Sequence, residues 1–305
     1  MSRMIVSVSP HIRDKTTTAV IMRDVLIALF PALIAAILVF GWRSLLVTAV
    51  CVVSCMTGEW AFEKLTGRPN TVGDLSAAVT GVLLAYSLPA GIPVWQAVLG
   101  SLVAIAVVKQ LFGGIGRNFA NPAVTARIVM LLAFSETMTA WVIPDAVSGA
   151  TPLAVLKGGD LQNLPGLLQM LLGVRGGCLG ETGALALLAG GAYLLIRRVI
   201  SWHTPAAFAG TVLLLTFLLG KQPVYQLMSG GLLLGAFFMA TDYSTTPMTN
   251  SGRLIFGVGC GLITVLIRVW GNYPEGVSFS ILMMNILTPY IARFTRQRPL
   301  GGAKL

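Results

Sequence analysis

The sequence predicts an all-α, polytopic integral membrane protein of about ten transmembrane helices in two inverted five-helix repeats. Three observations carry that expectation. The chain has 305 residues and is 55% hydrophobic but only 10% charged, whereas a soluble domain carries about 25% charged residues. Apolar runs approaching the length that crosses a bilayer, about 20 residues, recur from end to end. These runs are continuous, not alternating, which excludes the closed β-barrel, the other architecture that satisfies its backbone within lipid.

The elements follow in order. Residues 1–24 form a polar, basic N-terminal segment, "MSRMIVSVSPHIRDKTTTAVIMRD", unlike the start of a secretory signal. The first repeat covers residues 25–143, with apolar runs near 25–41, 45–61, 75–91, 94–112 and 123–143. Residues 144–182 form an outer segment with a polar tract at its start. The second repeat covers 183–294, with runs near 183–196, 206–220, 224–241, 254–270 and 277–294, and residues 295–305 are a tail. Pro205 and Gly220 bound the seventh run as helix breakers do.

The net charge of +10 would suggest nucleic acid in a soluble protein. Here the basic residues lie in gaps between apolar runs, so they are read as setting orientation in a lipid bilayer, with no nucleic-acid partner. With the N-terminus inside, sixteen Lys and Arg fall in cytoplasmic segments and five, Arg43, Lys157, Arg175, Lys221 and Arg268, in outer ones. That split puts both termini in the cytoplasm of a multi-pass inner (cytoplasmic) membrane protein, and the tract after the fifth run outside.

The repeat rests on two stretches. "VVKQLFGGIGRNFANPAVTAR" and "LIRVWGNYPEGVSFSILMMNILTPY" each carry a basic residue at a helix end, a bulky residue, a glycine break, then Asn before Pro. Five spans per half force the copies to lie inverted, as in folds that build binding sites at the repeat interface. In "GGIGRNFANP" the glycine spacing is wrong for a dinucleotide fingerprint and no strand precedes it. It reads as a broken helix that presents backbone amides and the Asn118 and Asn121 side chains to a ligand, or as a plain interhelical turn.

Glu59, Glu136 and Asp242 lie in or at the ends of runs, where charge is costly. Glu59 and Asp242, near the ends, are read as hydrated, and Glu136 as deeper. His11 and His203 are read as solvated segment residues. Cys51 and Cys55 are four apart and share a helix face, while Cys178 and Cys260 are isolated, so the four cysteines are read as packing residues without a metal.

The tract "DAVSGATPL" places two hydroxyls beside small residues. Thr151 precedes Pro152, which favours an extended backbone and projects its side chain. Asp145 lies upstream as a handle for a modifying enzyme. Physically this is a small hydroxyl acceptor, or an ordinary outer loop.

Asp145, Ser148, Gly149, Ala150 and Thr151 resemble the motif on which flavin transferases attach FMN to threonine through a phosphoester. That motif occurs in the membrane subunits of Rnf complexes and of sodium-pumping NADH:quinone oxidoreductases. Along nearly its whole length the chain resembles Rnf D subunits, through "SPHIRDKTTTAVIMRDVLIALFPA", "GRNFANPAVTARI", "DAVSGATPL" and "ATDYSTTPMTNSGR". The related quinone-reductase B subunit carries the same motif behind a longer N-terminus.

The resemblance implies an electron-transfer subunit with FMN on Thr151, matured by a flavin transferase. Its partners would be Rnf subunits that carry flavin and iron–sulfur groups, in a complex coupling ferredoxin and NAD+ chemistry to Na+ or H+ movement. It also implies a second, noncovalent riboflavin, for which the breaks near 113–122 and 270–277 are the candidate surroundings. Lys157 or Arg175 would meet phosphate charge, and residues 161–173, apolar but too short to span, would cover the cofactor. The alternative is a solute transporter or channel with the same repeats and no redox cofactor.

Overall fold

The computed structural model describes residues 16–141, 151–158, 164–173, 175–181, 183–271 and 275–296. Among them the chain is helical, with one isolated bridge between Pro89 and Cys178. α1 (Thr18–Phe40) starts where the Thr17 hydroxyl accepts from Val20 N at 3.4 Å. α2 (Trp42–Thr66) follows and ends at Gly67, which turns left-handed. The chain continues through α3 (Ser76–Tyr86), α4 (Val94–Leu102), α5 (Pro122–Ala133) and α6 (Ser135–Met138). α4 passes into a π-helical stretch over Val103–Gln110. Two short helices come next, α7 (Pro152–Gly158) and α8 (Leu167–Leu172). Then come α9 (Ala184–Ile196), α10 (His203–Leu218), α11 (Pro223–Met228) and α12 (Leu232–Leu234), which runs into a π turn over Gly235–Met239. α13 (Asn250–Trp270) and α14 (Val277–Phe294) follow.

Among the described residues each expected run contains helix, but only α1, α2, α13 and α14 are long and apolar enough to cross a membrane by length and composition. α3 has 11 residues and α5 has 12, and the run expected near 224–241 is broken into α11, α12 and the π turn. Short helices and loosened backbone at bilayer depth require protein around them, because lipid offers no hydrogen bonds. Here they lie in the middle. α2 packs along α3, α1 along α9, and α10 along α13. Contact between α1 and α9 depends on Gly190, where an added Cβ would lie 2.1 Å from the Ala28 carbonyl oxygen. Phe30, Leu38, Leu132, Leu214 and Phe217 project outward as an apolar coat suited to lipid.

The loops gather at two ends of this bundle. At one end the Arg43 guanidinium donates to the carbonyls of Ala90, Gly91 and Ile92, and Leu179 N and Gly180 N donate to Leu88 O and Tyr86 O. That end also holds α7, tied to α13 by a hydrogen bond from Lys157 Nζ to Gly271 O. At the other end Arg68 donates to Gln110 O at 2.8 Å, and Asn118 reaches Ser244.

Candidate functional site: a cleft at one end and a cation cluster at the other

The chain leaves the π stretch through Gly113, Gly114 and Gly116, whose φ angles of 111°, 89° and 82° belong to the left-handed region. That path turns the chain back toward the bundle and delivers Asn118 and Asn121. Asn121 caps α5: its Oδ1 accepts from Ala123 N at 3.0 Å and Val124 N at 3.3 Å. Pro122 then fills the first helical position, where a missing N–H costs nothing. The Asn121 amide also donates to Met239 O at 3.3 Å, joining the two halves.

Beside this break lies a cleft with both apolar and polar lining. Val79 and Leu83 of α3, Phe237 and Phe238 of the π turn, and Ile21 of α1 give it apolar walls. Ser76, Lys109, Asn118, Asn121 and Asp242 give it polar groups. Asn118 Nδ2 donates to Ser244 Oγ at 3.4 Å, but its Oδ1 is buried without a partner. A buried orphan acceptor costs on the order of 1–3 kcal/mol, which a ligand N–H would recover. Asp242 accepts from Ser244 Oγ at 2.8 Å and Thr245 Oγ1 at 3.1 Å. Burial pushes its carboxyl above the usual range in spite of those bonds.

Behind the cleft wall, Lys109 Nζ lies 2.6 Å from Glu59 Oε1 and donates to Ser76 Oγ at 2.6 Å. Gln110 Nε2 donates to Glu59 Oε1 at 2.6 Å and to Glu63 Oε1 at 3.3 Å. Glu59 is therefore not hydrated: it is 0% exposed, and its Oε2 has no partner. α2 runs to Thr66, past the expected edge at 61, so Glu59 lies inside it. Asp242 is half-buried, and Glu136 is exposed in α6, the reverse of the expected depth. His11 lies outside the described residues. His203 opens α10, stacked on Trp202 with Nδ1 2.6 Å from Ser201 Oγ, and is half-buried rather than solvated.

The other end holds Thr151. Asp145, Ser148, Gly149 and Ala150 lie outside the described residues. Thr151 starts α7: its carbonyl accepts from Val155 N at 3.0 Å and its Oγ1 from Ala154 N at 3.3 Å. It is only 3% exposed. Arg127, one of the sixteen cations expected in cytoplasmic segments, is buried inside α5 and pairs with Glu275. Arg268 is likewise buried in the last turn of α13. Arg175 donates to Glu181 O at 2.9 Å and to Met228 O at 2.5 Å.

Cys178 is not isolated. It lies with Glu181 and Glu275 in a group whose donor atoms fall within 4.8 Å of one another. Arg127 Nη2 donates to Cys178 Sγ at 3.4 Å and also binds Glu275, so a guanidinium already supplies the positive charge there. Burial raises the Cys178 thiol well above its usual value and keeps it neutral. Cys51, Cys55 and Cys260 are buried and free, as packing residues. Of 161–173, the described part forms α8, which rests on α9 and α11 with Leu168 exposed.

The break residues thus meet Asp242 and Lys109 at one end, and Thr151 heads α7 at the other. Arg127 and Glu275 gave no local signal, since the two partners lie 148 positions apart.

A family model described as "NQR2, RnfD, RnfE family" matches residues 5–301. The chain is 50% identical over 305 residues to the D subunit of the Na(+)-translocating ferredoxin:NAD(+) oxidoreductase complex of Acetobacterium woodii, covering 98% of this chain and 96% of that protein. It is 40% identical over 319 residues to the D subunit of the proton-translocating ferredoxin:NAD(+) oxidoreductase complex of Clostridium ljungdahlii, covering 97% and 96%. It is also 40% identical to the D subunit of the ion-translocating oxidoreductase complex of Stutzerimonas stutzeri, covering 92% and 91%.

Proposed function

The chain belongs to the NQR2, RnfD, RnfE family, and we propose that within an Rnf-type complex it holds a covalent FMN on Thr151 and a second, noncovalent flavin in the cleft. It is a membrane subunit of an ion-translocating ferredoxin:NAD+ oxidoreductase, not catalytic alone. Its partners are the other Rnf subunits, those carrying flavin and iron–sulfur groups among them, with a flavin transferase for its maturation. A bound flavin supplies one- and two-electron redox chemistry that no side chain here can supply. The chain's own task is to place the flavins, tune their surroundings and exclude water.

Thr151 heading α7 is the observation that carries the FMN reading. Its oxygen serves as an acceptor for Ala154 N, a role that an ester oxygen keeps. At 3% exposure the hydroxyl is closed to a transferase, so esterification precedes the final packing of α7 or requires α7 to lift. For the cleft, the supporting observation is the orphan Asn118 Oδ1, placed to accept from a ring N–H between apolar walls. The break near 270–277 is the weaker candidate, because Glu275 there is bound to Arg127.

The ten-span inverted repeat belongs to the same proposal. In each half the second span packs on the fourth and the fourth on the fifth: α2 on Val94–Gln110 and that stretch on α5, α10 on α13 and α13 on α14. The outer placement of Thr151 and the cytoplasmic termini rest on Lys and Arg. Lys109 and Arg127 drop out of the inner count and Arg175 and Arg268 out of the outer one, since all four are buried. The bias survives that removal.

The test is mass spectrometry of the tryptic peptide ending at Lys157, from protein made alongside a flavin transferase. The expected mass is that of the peptide plus FMN less water. An unmodified peptide sinks the reading, and a transporter without a redox cofactor predicts that outcome. Thr151→Ala should abolish covalent flavin while costing only about 1 kcal/mol, the worth of a cap bond.

A further inference from the structure

Beside α7 lies a smaller pocket lined by Lys157, Lys221, Gln226 and Arg268, with Leu153 and Val269 among its apolar residues. The three cations come from three places: the last turn of α7, the turn after α10, and the last turn of α13. Among the described residues no carboxylate lines the pocket. The carboxylates in the neighbourhood are engaged: Glu181 accepts from Gly230 N, and Glu275 binds Arg127.

Arg268 is 4% exposed and has only neutral acceptors. Its Nη1 donates to Gln226 O at 2.5 Å and Gln226 Oε1 at 3.2 Å, and its Nη2 to Ser229 O at 2.7 Å and Gly230 O at 3.5 Å. Its Nε is buried with no partner. A guanidinium withdrawn from water with neutral hydrogen-bond acceptors keeps its charge at a cost that Glu181 and Glu275, acting at longer range, offset only in part. An anion between the three cations offsets the rest.

Donors converging from three elements suit an anion with several oxygens, and a guanidinium is preorganised for one. Leu153 and Val269 suit one that carries an organic chain. Leu153 and Arg268 also pack on the same glycine: a Cβ at Gly230 would lie 2.6 Å from Arg268 Nη2 and 2.9 Å from Leu153 Cδ2. Thr151 is two residues from Leu153. We propose that Lys157, Lys221 and Arg268 form a phosphate-binding site. Its phosphate comes from the phosphoester on Thr151, which rests on the reading above, or from the headgroup of an anionic lipid in the adjoining leaflet.

The experiment titrates two chains in detergent, flavin-loaded protein and Thr151→Ala, with short-chain phosphatidylglycerol and phosphatidylcholine, counting bound lipid by native mass spectrometry. With lipid as the source, both chains bind phosphatidylglycerol about tenfold more tightly than phosphatidylcholine. With the flavin phosphoester as the source, only Thr151→Ala shows the preference, because the tethered phosphate fills the site in the loaded chain. In either case Lys157→Gln with Lys221→Gln removes it. Both lysines are exposed, so this double variant folds. No preference in either chain, or a preference that persists in the double variant, overturns the site. If the Thr151 peptide proves unmodified, the flavin source falls while the lipid arm still decides the proposal.

Discussion

The two glycine breaks share a sequence pattern and differ in what they do. The first, after Gln110, follows three left-handed glycines and opens on the cleft with Asn118 Oδ1 unpartnered. The second begins at Gly271 with ordinary extended backbone, φ −74° and ψ 166°, and is closed by Glu275 against Arg127. Both converge on α5, whose cap is Asn121 and whose Arg127 lies about 9 Å further along the axis. With its amide turned so that donors meet acceptors, Asn285 of the second stretch accepts from Asn121 N at 3.0 Å. A neutral amide in one break leaves room for a ligand, whereas an acid in the other recruits an arginine and seals it.

Breaking the seal should produce the largest effect. Arg127→Ala leaves Glu275 charged and unpaired in the interior, at a cost of about 3–5 kcal/mol. Unfolding followed in detergent should show it as a large loss of stability or of folded yield. Arg127→Met combined with Glu275→Gln should recover most of that loss. A drop below about 1 kcal/mol for Arg127→Ala would mean that the pair is solvated and the second break open.

The same kind of change in the first break should leave stability nearly untouched. Asn118→Ala removes an orphan acceptor together with one long hydrogen bond, so unfolding should shift by less than about 1 kcal/mol. Retention of the noncovalent flavin, read from fluorescence released on denaturation, should fall about tenfold. Equal retention in the variant would detach the cleft from flavin binding.

How much of this was legible depends on how local each signal is. The break before α5 was legible because glycines and a proline act on the backbone within one turn. The runs of α1, α2, α13 and α14 were legible for the same reason: each is apolar over its own length. Glu59 was misjudged because its partners, Lys109 and Gln110, lie some fifty residues away and only packing brings them into contact. Cys178 looked isolated because Arg127 and Glu275 reach it from α5 and from the turn before α14. Arg127 was counted among the cytoplasmic cations because nothing near it in sequence reveals an acid 148 positions on. Thr151 stood out only through its resemblance to an attachment motif. Its burial under α7 is a tertiary fact that the small residues around it gave no reason to expect.

The smallest effect sharpens the comparison through pH. Asp242 faces the open cleft, and burial raises its carboxyl above the ordinary value of 3.8. The folded chain therefore holds that proton more tightly than the unfolded chain does. Stability from this group is full below the ordinary carboxylate value and falls as pH rises through the raised one. Ser244 and Thr245 donate to the carboxylate, and Lys109, held by Glu59, supplies the positive charge facing it, so the loss is partial. Asp242→Asn keeps an acceptor for both hydroxyls and removes the titration. Its melting temperature should decline less than that of the parent from about pH 4 upward, with a difference of about 1–2 °C at neutral pH. Parallel pH profiles for the two proteins would mean that Asp242 is hydrated, and with it the wall of the cleft proposed to hold a flavin.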